Sequence, residues 1–155
     1  METHQKYMHK CLQLAKKALT KGNPPVGAIL VVKNKIIGEG IEAGKSSGDL
    51  TNHAEILSIR NAIKNGHLKE LHKAIMYTTH EPCIMCSYLI RHHRIPHIIF
   101  GTSIDYIGGY TSKFKILNTI EVPKWGNKPK ITEGVCKSKC EELTEEFHQL
   151  LNKLN

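Results

Sequence analysis

The stretch AIMYTTHEPCIMCSYLIRHHRIPHIIFGT, residues 74–102, contains the pattern on which the predicted fold depends. Residues 74–79 have the length and apolar content of a strand, and residues 97–102 repeat that pattern. Between them, residues 83–93 have the spacing and length of a helix. A strand–helix–strand order of this kind predicts parallel pairing through a right-handed crossover.

The rest of the chain extends this alternation. Apolar residues recur every three to four positions over residues 4–21, 53–64 and 141–154, which predicts three more helices. Two apolar runs, 26–32 and 36–41, are joined by a short polar connection and predict a hairpin at one side of the sheet. The predicted class is α/β, with a mixed sheet between helical layers.

Two segments show neither the helical nor the strand spacing of apolar residues. Residues 44–52 have the composition of a loop, and glycines and prolines interrupt residues 103–130. Long ordered loops in compact domains often carry function. Aromatic side chains in or near the second segment are therefore candidates for stacking on a base, although anchoring the loop in the core is an equal alternative; they are Tyr106, Tyr110, Phe114 and Trp125.

Composition limits the class of protein. A chain of 155 residues, 40% of them hydrophobic, predicts one domain spanning residues 1–155. No apolar run is long enough to cross a membrane, and the polar N-terminus does not resemble a secretory signal, so we expect a cytoplasmic protein. The odd number of cysteines, five, favours metal or redox chemistry in a reducing compartment over a disulfide framework.

The net charge of +8 favours anionic partners, including nucleic acid. It fits a solvated lysine-rich surface equally well, because only three of the 22 basic residues are arginines.

A cysteine pair lies at the start of the helix predicted over residues 83–93. Pro82 suits the entry to a helix, and Cys83 and Cys86 lie one turn apart, so both sulfurs face the same side. The helix dipole and the free amides at this end lower thiol pKa values, which favours thiolates as metal ligands. Taken alone, the pair also fits a redox motif or a zinc knuckle that two further residues complete.

The stretch TNHAEILSIR, residues 51–60, places a histidine and a carboxylate at the mouth of another helix. One imidazole, from His53, and two thiolates, from Cys83 and Cys86, make a three-ligand zinc set that leaves a fourth position for water. That is the stoichiometry of a catalytic site. The order His-x-Glu, then Pro-Cys-x-x-Cys some tens of residues later, is the signature of zinc deaminases, with Glu55 as the carboxylate.

On these motifs the sequence resembles the cytidine and deoxycytidylate deaminase superfamily, in the branch of tRNA adenosine deaminases, guanine deaminases and fungal-type cytosine deaminases. The resemblance runs nearly end to end. It includes the segments Pro25–Ala28, Gly38–Gly40, Phe100–Gly101 and Ile131–Gly134, the last leading into Cys140 and Leu143.

The resemblance implies a fold, a cofactor and residue roles. The implied fold is a three-layer α/β/α sandwich with a mixed central sheet of about five strands. Zn²⁺ would be held by His53, Cys83 and Cys86, while Glu55 would transfer protons between water, a ring nitrogen and the departing ammonia.

Four further residues are predicted to contact substrate: Val26, Glu42, Ala54 and Asp105. The residue between the histidine and the glutamate must be small because the substrate lies over this turn, and Ala54 meets that demand. Glu42 stands where related enzymes commonly have an asparagine. An ionised carboxylate only accepts hydrogen bonds, so Glu42 favours a substrate edge rich in donors. Asp105 is shifted by one position from the aspartate of bacterial tRNA adenosine deaminases, and the basic residues beside it are missing.

Three functions remain open at this stage. The first is hydrolytic deamination of a small-molecule nucleobase or nucleoside, with purines such as guanine or adenosine slightly favoured. The second is deamination of the wobble adenosine of tRNA. The third is a non-catalytic zinc-binding module, which the presence of Glu55 disfavours. The resemblance also implies a homodimer whose partner contributes to the pocket wall.

Overall fold

The chain folds around one five-stranded mixed sheet, and the computed structural model describes residues 2–155. The strands are β1 (Gly27–Val32), β2 (Lys35–Ile41), β3 (Ile75–His80), β4 (His97–Thr102) and β5 (Lys130–Glu133). The helices are α1 (Glu2–Thr20), α2 (Gly44–Ser47), α3 (Ala54–Lys64), α4 (Ile84–His92) and α5 (Lys137–Leu154). Two 3₁₀ turns, Leu68–Lys73 and Pro123–Trp125, complete the regular structure of the described residues.

The strand order is β2-β1-β3-β4-β5. β3 and β4, joined through α4, pair in parallel, which confirms the parallel pairing predicted from residues 74–102. The predicted hairpin is β1 and β2, which pair antiparallel at one side of the sheet. β1 also pairs antiparallel with β3, so the crossover through α3 passes over β1 and its two strands are not neighbours.

Each face of the sheet carries its own core because successive strand residues point to opposite sides. α1 and α5 cover one face, where Ile29 and Val31 pack with Met8 and Leu143. α3 and α4 cover the other, where Leu30 packs with residues such as Ile59, Met76, Ile90 and Phe100. The three-layer α/β/α prediction is therefore confirmed.

Three local features differ from the sequence-based expectations. β5 is a four-residue edge strand with both ends exposed, so it carries no apolar period and the sequence does not predict a strand there. α5 begins at Lys137, four residues earlier than predicted, because its first turn is polar and gives no periodic signal. The predicted loop 44–52 contains the short helix α2, which ends at Gly48 with φ 75°.

Two glycines of β2 let α3 lie very close to the sheet. A Cβ on Gly40 would lie 1.9 Å from the carbonyl oxygen of Ala54, and a Cβ on Gly38 would lie 2.3 Å from that of Ser58. These contacts involve helix backbone, which cannot rotate away as a side chain can. Glycine at both positions thus determines how close the start of α3 lies to β2.

Candidate active site

The site forms where the first turns of α3 and α4 meet. His53 is the N-cap residue of α3 and Cys83 is the N-cap residue of α4, both with extended backbone dihedral angles. Neither side chain caps its own helix, so both are free to turn toward the gap between the two helices. Cys86 follows one turn into α4 and is fully buried.

The three predicted metal ligands come together. Nδ1 of His53 lies 3.5 Å from Sγ of Cys83 and 3.5 Å from Sγ of Cys86. All three donor atoms lie within 4.8 Å of one another. Tetrahedral zinc with ordinary Zn–N and Zn–S bonds separates nitrogen and sulfur by about 3.5 Å, so the donor set fits this ion.

Their mutual contacts shift the pKa values of all three groups. A hydrogen bond from Cys86 holds the pKa of the Cys83 thiol at about 4, whereas that hydrogen bond and burial raise the pKa of Cys86. The contact with Cys83 raises the pKa of His53 to about 9. The pair thus shares one proton between two sulfurs, and metal binding would release it together with the histidine proton.

Glu55 lies beside the donor set without belonging to it. Its side chain is only 3% exposed, and its Oε1 accepts a hydrogen bond of 2.8 Å from the hydroxyl of Thr78 on β3. Oε2 lies 3.5 Å from Sγ of Cys86. Burial raises the pKa of Glu55 to about 7, so this carboxyl can both take up and release a proton near neutral pH.

A cavity of about 230 Å³ opens beside these groups. Val26 and Glu42, both predicted substrate contacts, line it together with His53, Glu55 and Cys83. The combination of a proton-transfer group, a metal donor set and an open cavity is what hydrolytic chemistry on a bound ring requires.

Glu42 has a structural contact as well as a place in the cavity wall. The side chain is buried, and its Oε2 accepts a hydrogen bond of 3.1 Å from the backbone N–H of Ala54 at the start of α3. Burial raises the pKa of this carboxyl. Ala54 is fully buried and presents its amide to Glu42.

Asp105 is exposed, and its two neighbours, Ile104 and Tyr106, line the cavity. The structure therefore does not bring the Asp105 side chain together with the other predicted site residues. The prediction that it contacts substrate stays a prediction.

The sequence does not predict two polar residues of the cavity wall, His80 and Glu81, as site residues. His80 ends β3, and its Nε2 lies 2.9 Å from the hydroxyl of Thr144 on α5, which ties the last helix to the cavity wall. Glu81 directly precedes the Pro-Cys-x-x-Cys motif, and its buried carboxylate holds the segment that follows β4. In the sequence, the role of Glu81 is indicated only by its position directly before the motif, because the groups that donate hydrogen bonds to its carboxylate lie more than 20 residues away.

Comparison with known proteins identifies the family. Residues 1–102 match the model of the cytidine and deoxycytidylate deaminase zinc-binding region. The chain belongs to this family. Its members bind zinc, so the chain is a zinc-dependent deaminase, a hydrolase that removes an amino group from a nucleobase or nucleoside ring.

Relatives extend the similarity over nearly the whole chain. The chain is 37% identical over 149 residues to the tRNA-specific adenosine deaminase of Haemophilus influenzae, covering 96% of this deaminase and 84% of that protein. It is 31% identical to tRNA-specific adenosine deaminase 2 of Xenopus tropicalis, with 97% and 92% covered.

Solved structures agree with the fold. A structure from a study of A-to-I editing by tRNA:A34 deaminases at the wobble position superposes with a TM-score of 0.81 at 28% identity, covering 89% of this chain and 98% of that one. Guanine deaminase from Bacillus subtilis superposes with a TM-score of 0.59 at 34% identity, covering 66% and 64%.

Among residues 2–155, no helix is both long enough and apolar enough to cross a membrane.

Proposed function

We propose that this deaminase converts adenosine to inosine in tRNA. The observation that carries the proposal is full-length similarity: relatives named tRNA-specific adenosine deaminases are 31–37% identical over at least 95% of the chain. The net charge of +8 supports an anionic polymer as substrate. In this proposal the target nucleoside, flipped out of the anticodon loop, enters the cavity beside Glu55.

His53, Cys83 and Cys86 are the residues proposed to hold zinc. Their donor atoms are spaced for a tetrahedral ion, and three protein ligands leave one position open. When bound, zinc lowers the pKa of water at that open position.

Glu55 is the proposed proton-transfer residue. Its buried carboxyl, with a pKa of about 7, accepts a proton from water and delivers protons to the ring and to the leaving amino group. The hydroxyl of Thr78 holds Oε1, which leaves Oε2 on the side of the metal donors for this exchange. Val26 and Glu42 are the proposed substrate contacts in the cavity wall, with the backbone of Ala54 beside Glu42.

A second candidate is deamination of a free purine base. The similarity to a guanine deaminase at 34% identity favours it, as does the absence of basic residues directly after Phe100 and Gly101. Ionised Glu42 accepts hydrogen bonds only, which suits a ring edge carrying several N–H groups.

One experiment separates the candidates. Purified zinc-loaded protein is incubated with an anticodon stem-loop carrying adenosine at the wobble position and, separately, with guanine, adenosine and cytosine. Inosine in the stem-loop, formed with an affinity that falls steeply as salt rises, supports the tRNA proposal. Ammonia from a free base, with an unchanged stem-loop, contradicts it.

Glu55→Gln is the matched variant for this assay. It removes the titratable group while keeping the shape of the side chain. We expect one zinc per chain in both proteins and a rate roughly 10²–10⁴-fold lower in the variant, which is the usual contribution of general acid–base transfer. Turnover within tenfold of the wild type would remove Glu55 from the mechanism.

The proposal also includes the domain organisation, the cellular location and the oligomeric state. Residues 1–155 are proposed to form one domain, supported by a core in which α1 and α5 pack on the same sheet face. A cytoplasmic location suits a tRNA substrate and the five free cysteines.

A homodimer is supported by an apolar groove between α3 and α4, with Tyr88 51% exposed beside Met85 and Leu89. The molecular mass in solution, measured for the wild type and for Tyr88→Glu, tests the dimer.

A further inference from the structure

The segment that follows β4 forms the rim of the cavity, and a buried carboxylate holds it in place. Glu81, 3% exposed, accepts backbone hydrogen bonds from Ile104 at 2.9 Å, Tyr110 at 2.9 Å and Thr111 at 2.7 Å, and a further one from the Thr111 hydroxyl. A carboxylate that receives four donors is held much more firmly than one exposed to solvent. We call residues 104–111 the rim segment.

Backbone contacts with the start of α4 add to this restraint. The N–H of Gly109 donates to the carbonyl of Pro82 at 2.8 Å, and the N–H of Ile84 donates to the carbonyl of Ile107 at 3.1 Å. A Cβ on Gly108 would lie 2.1 Å from Oε2 of Glu81, so only glycine lets the segment approach this closely. The rim segment is thus fixed on both sides of Tyr106 to residues at and just before the start of α4.

Tyr106 lies between these fixed points. It lines the cavity, yet 77% of it is exposed. Among the described residues its ring joins no aromatic pair and its hydroxyl makes no hydrogen bond to the protein. The aromatic face of Tyr106 is therefore open to a ligand at the mouth of the cavity, on a backbone that its neighbours restrain.

We propose that the ring of Tyr106 stacks on the base of a nucleotide next to the target adenosine. This deepens the proposed function and rests on it. A flipped target base enters the cavity, and its neighbour in the strand remains at the mouth, where an exposed aromatic face is available. Every base has a π-face, so this contact recognises single-stranded RNA without reading one particular base.

Cations close to the rim segment suit the phosphates of such a strand. Nζ of Lys115 donates to the carbonyl of Tyr110, and Nζ of Lys113 lies 5.6 Å from the ring centre of Phe114, which is itself 44% exposed. Aromatic rings interleaved with lysines are the usual composition of surfaces that bind single strands. A free base has no neighbouring nucleotide, so Tyr106 distinguishes an RNA substrate from a small-molecule one.

The test compares Tyr106→Ala and Tyr106→Phe with the wild type on two substrates, an anticodon stem-loop and free adenosine. For the stem-loop, we expect kcat/KM to fall about 5- to 150-fold in Tyr106→Ala, mainly through KM, and to stay within about twofold in Tyr106→Phe. Each Tyr106 variant is also combined with Glu55→Gln, which slows turnover so that binding alone can be measured. In that background, the dissociation constant of the stem-loop should rise by the factor by which kcat/KM falls in the same Tyr106 variant. On free adenosine, which has no neighbouring base, any loss of kcat/KM in Tyr106→Ala should be smaller than the loss on the stem-loop. Ile120→Ala is the matched control, since Ile120 is 74% exposed in the same irregular region but does not line the cavity.

Two results overturn the proposal while leaving the proposed function intact. One is stem-loop turnover and affinity in Tyr106→Ala that stay within twofold of the wild type. The other is an equal loss on adenosine, which shows that Tyr106 only supports the rim segment. A wild-type enzyme that deaminates free bases but forms no inosine in the stem-loop contradicts the proposed function itself, and the stacking proposal with it.

Discussion

Gly40→Ala is expected to disable the enzyme by moving a helix, although Gly40 carries no reactive group. The added Cβ would lie 1.9 Å from the carbonyl oxygen of Ala54 and 2.6 Å from the backbone nitrogen of Ser58. It would therefore stand within the first turn of α3, against backbone atoms that only a shift of the helix can move. An ordinary contact is at least about 3.4 Å, so the turn must move by roughly 1.5 Å.

That turn carries Glu55 and directly follows His53. A displacement of 1 Å at a catalytic group costs about 100-fold in rate, so we expect kcat to fall at least that much. Overpacking of this kind also lowers the free energy of unfolding by about 1–3 kcal/mol. The position of His53 relative to Cys83 and Cys86 changes too, so zinc affinity should drop together with the rate.

The assay measures kcat, zinc bound per chain and the urea midpoint for Gly40→Ala and for the control Gly66→Ala. Gly66 lies two residues beyond the end of α3, has φ 87°, and has no atom within 4 Å of an added Cβ. Its replacement should cost about 1 kcal/mol of stability through backbone strain and leave kcat unchanged. If Gly40→Ala keeps kcat within threefold of the wild type, the close approach of β2 and α3 does not position the site.

Two further predictions concern basic side chains, the half-buried His80 and the fully buried Arg91. Burial lowers the pKa of His80 to about 4. As the pH falls below 6.5, the unfolded chain therefore takes up a proton on this histidine before the folded chain does. The free energy of unfolding of the wild type should drop by up to about 3 kcal/mol relative to that of His80→Leu between pH 6.5 and pH 4. Urea midpoints across that range, with exposed His72→Leu as control, check this, and parallel curves for wild type and His80→Leu would contradict it. Arg91 is 1% exposed, donates 2.9 Å hydrogen bonds to the carbonyls of Ile116 and Thr119, and packs beside Trp125. Arg91→Met should therefore lower the free energy of unfolding by about 2–4 kcal/mol, measured by urea denaturation beside the exposed Arg60→Met, and a loss under 0.5 kcal/mol would show that these bonds are not needed.

Much of the site could be predicted from the sequence because its residues lie at positions that local patterns mark. Apolar periods place the starts of the third and fourth helices within one or two residues, and His53, Glu55, Cys83 and Cys86 all lie in those first turns. Spacing within one turn makes Cys83 and Cys86 face the same way in any helix. These features depend on residues that are near each other in the chain.

The remaining features depend on groups that only the folded chain brings together. Glu81 accepts hydrogen bonds from donors 23 to 30 residues away in the chain. Glu42 accepts one from the Ala54 amide, and the segment between these two residues has no apolar periodicity from which its path could be predicted. β5 becomes a strand by pairing with β4, although its own four residues show no alternation.

The sequence by itself therefore determined the proposed catalytic set: a histidine, two cysteines and a glutamate at the starts of two helices. Only the tertiary structure decided how the substrate space is built, with Glu42 in its wall, His80 joined to the last helix and Tyr106 on a restrained rim. The physical reason is that helix and strand periods are set by neighbouring residues. A cavity wall, in contrast, is set by hydrogen bonds and packing between segments far apart in the chain.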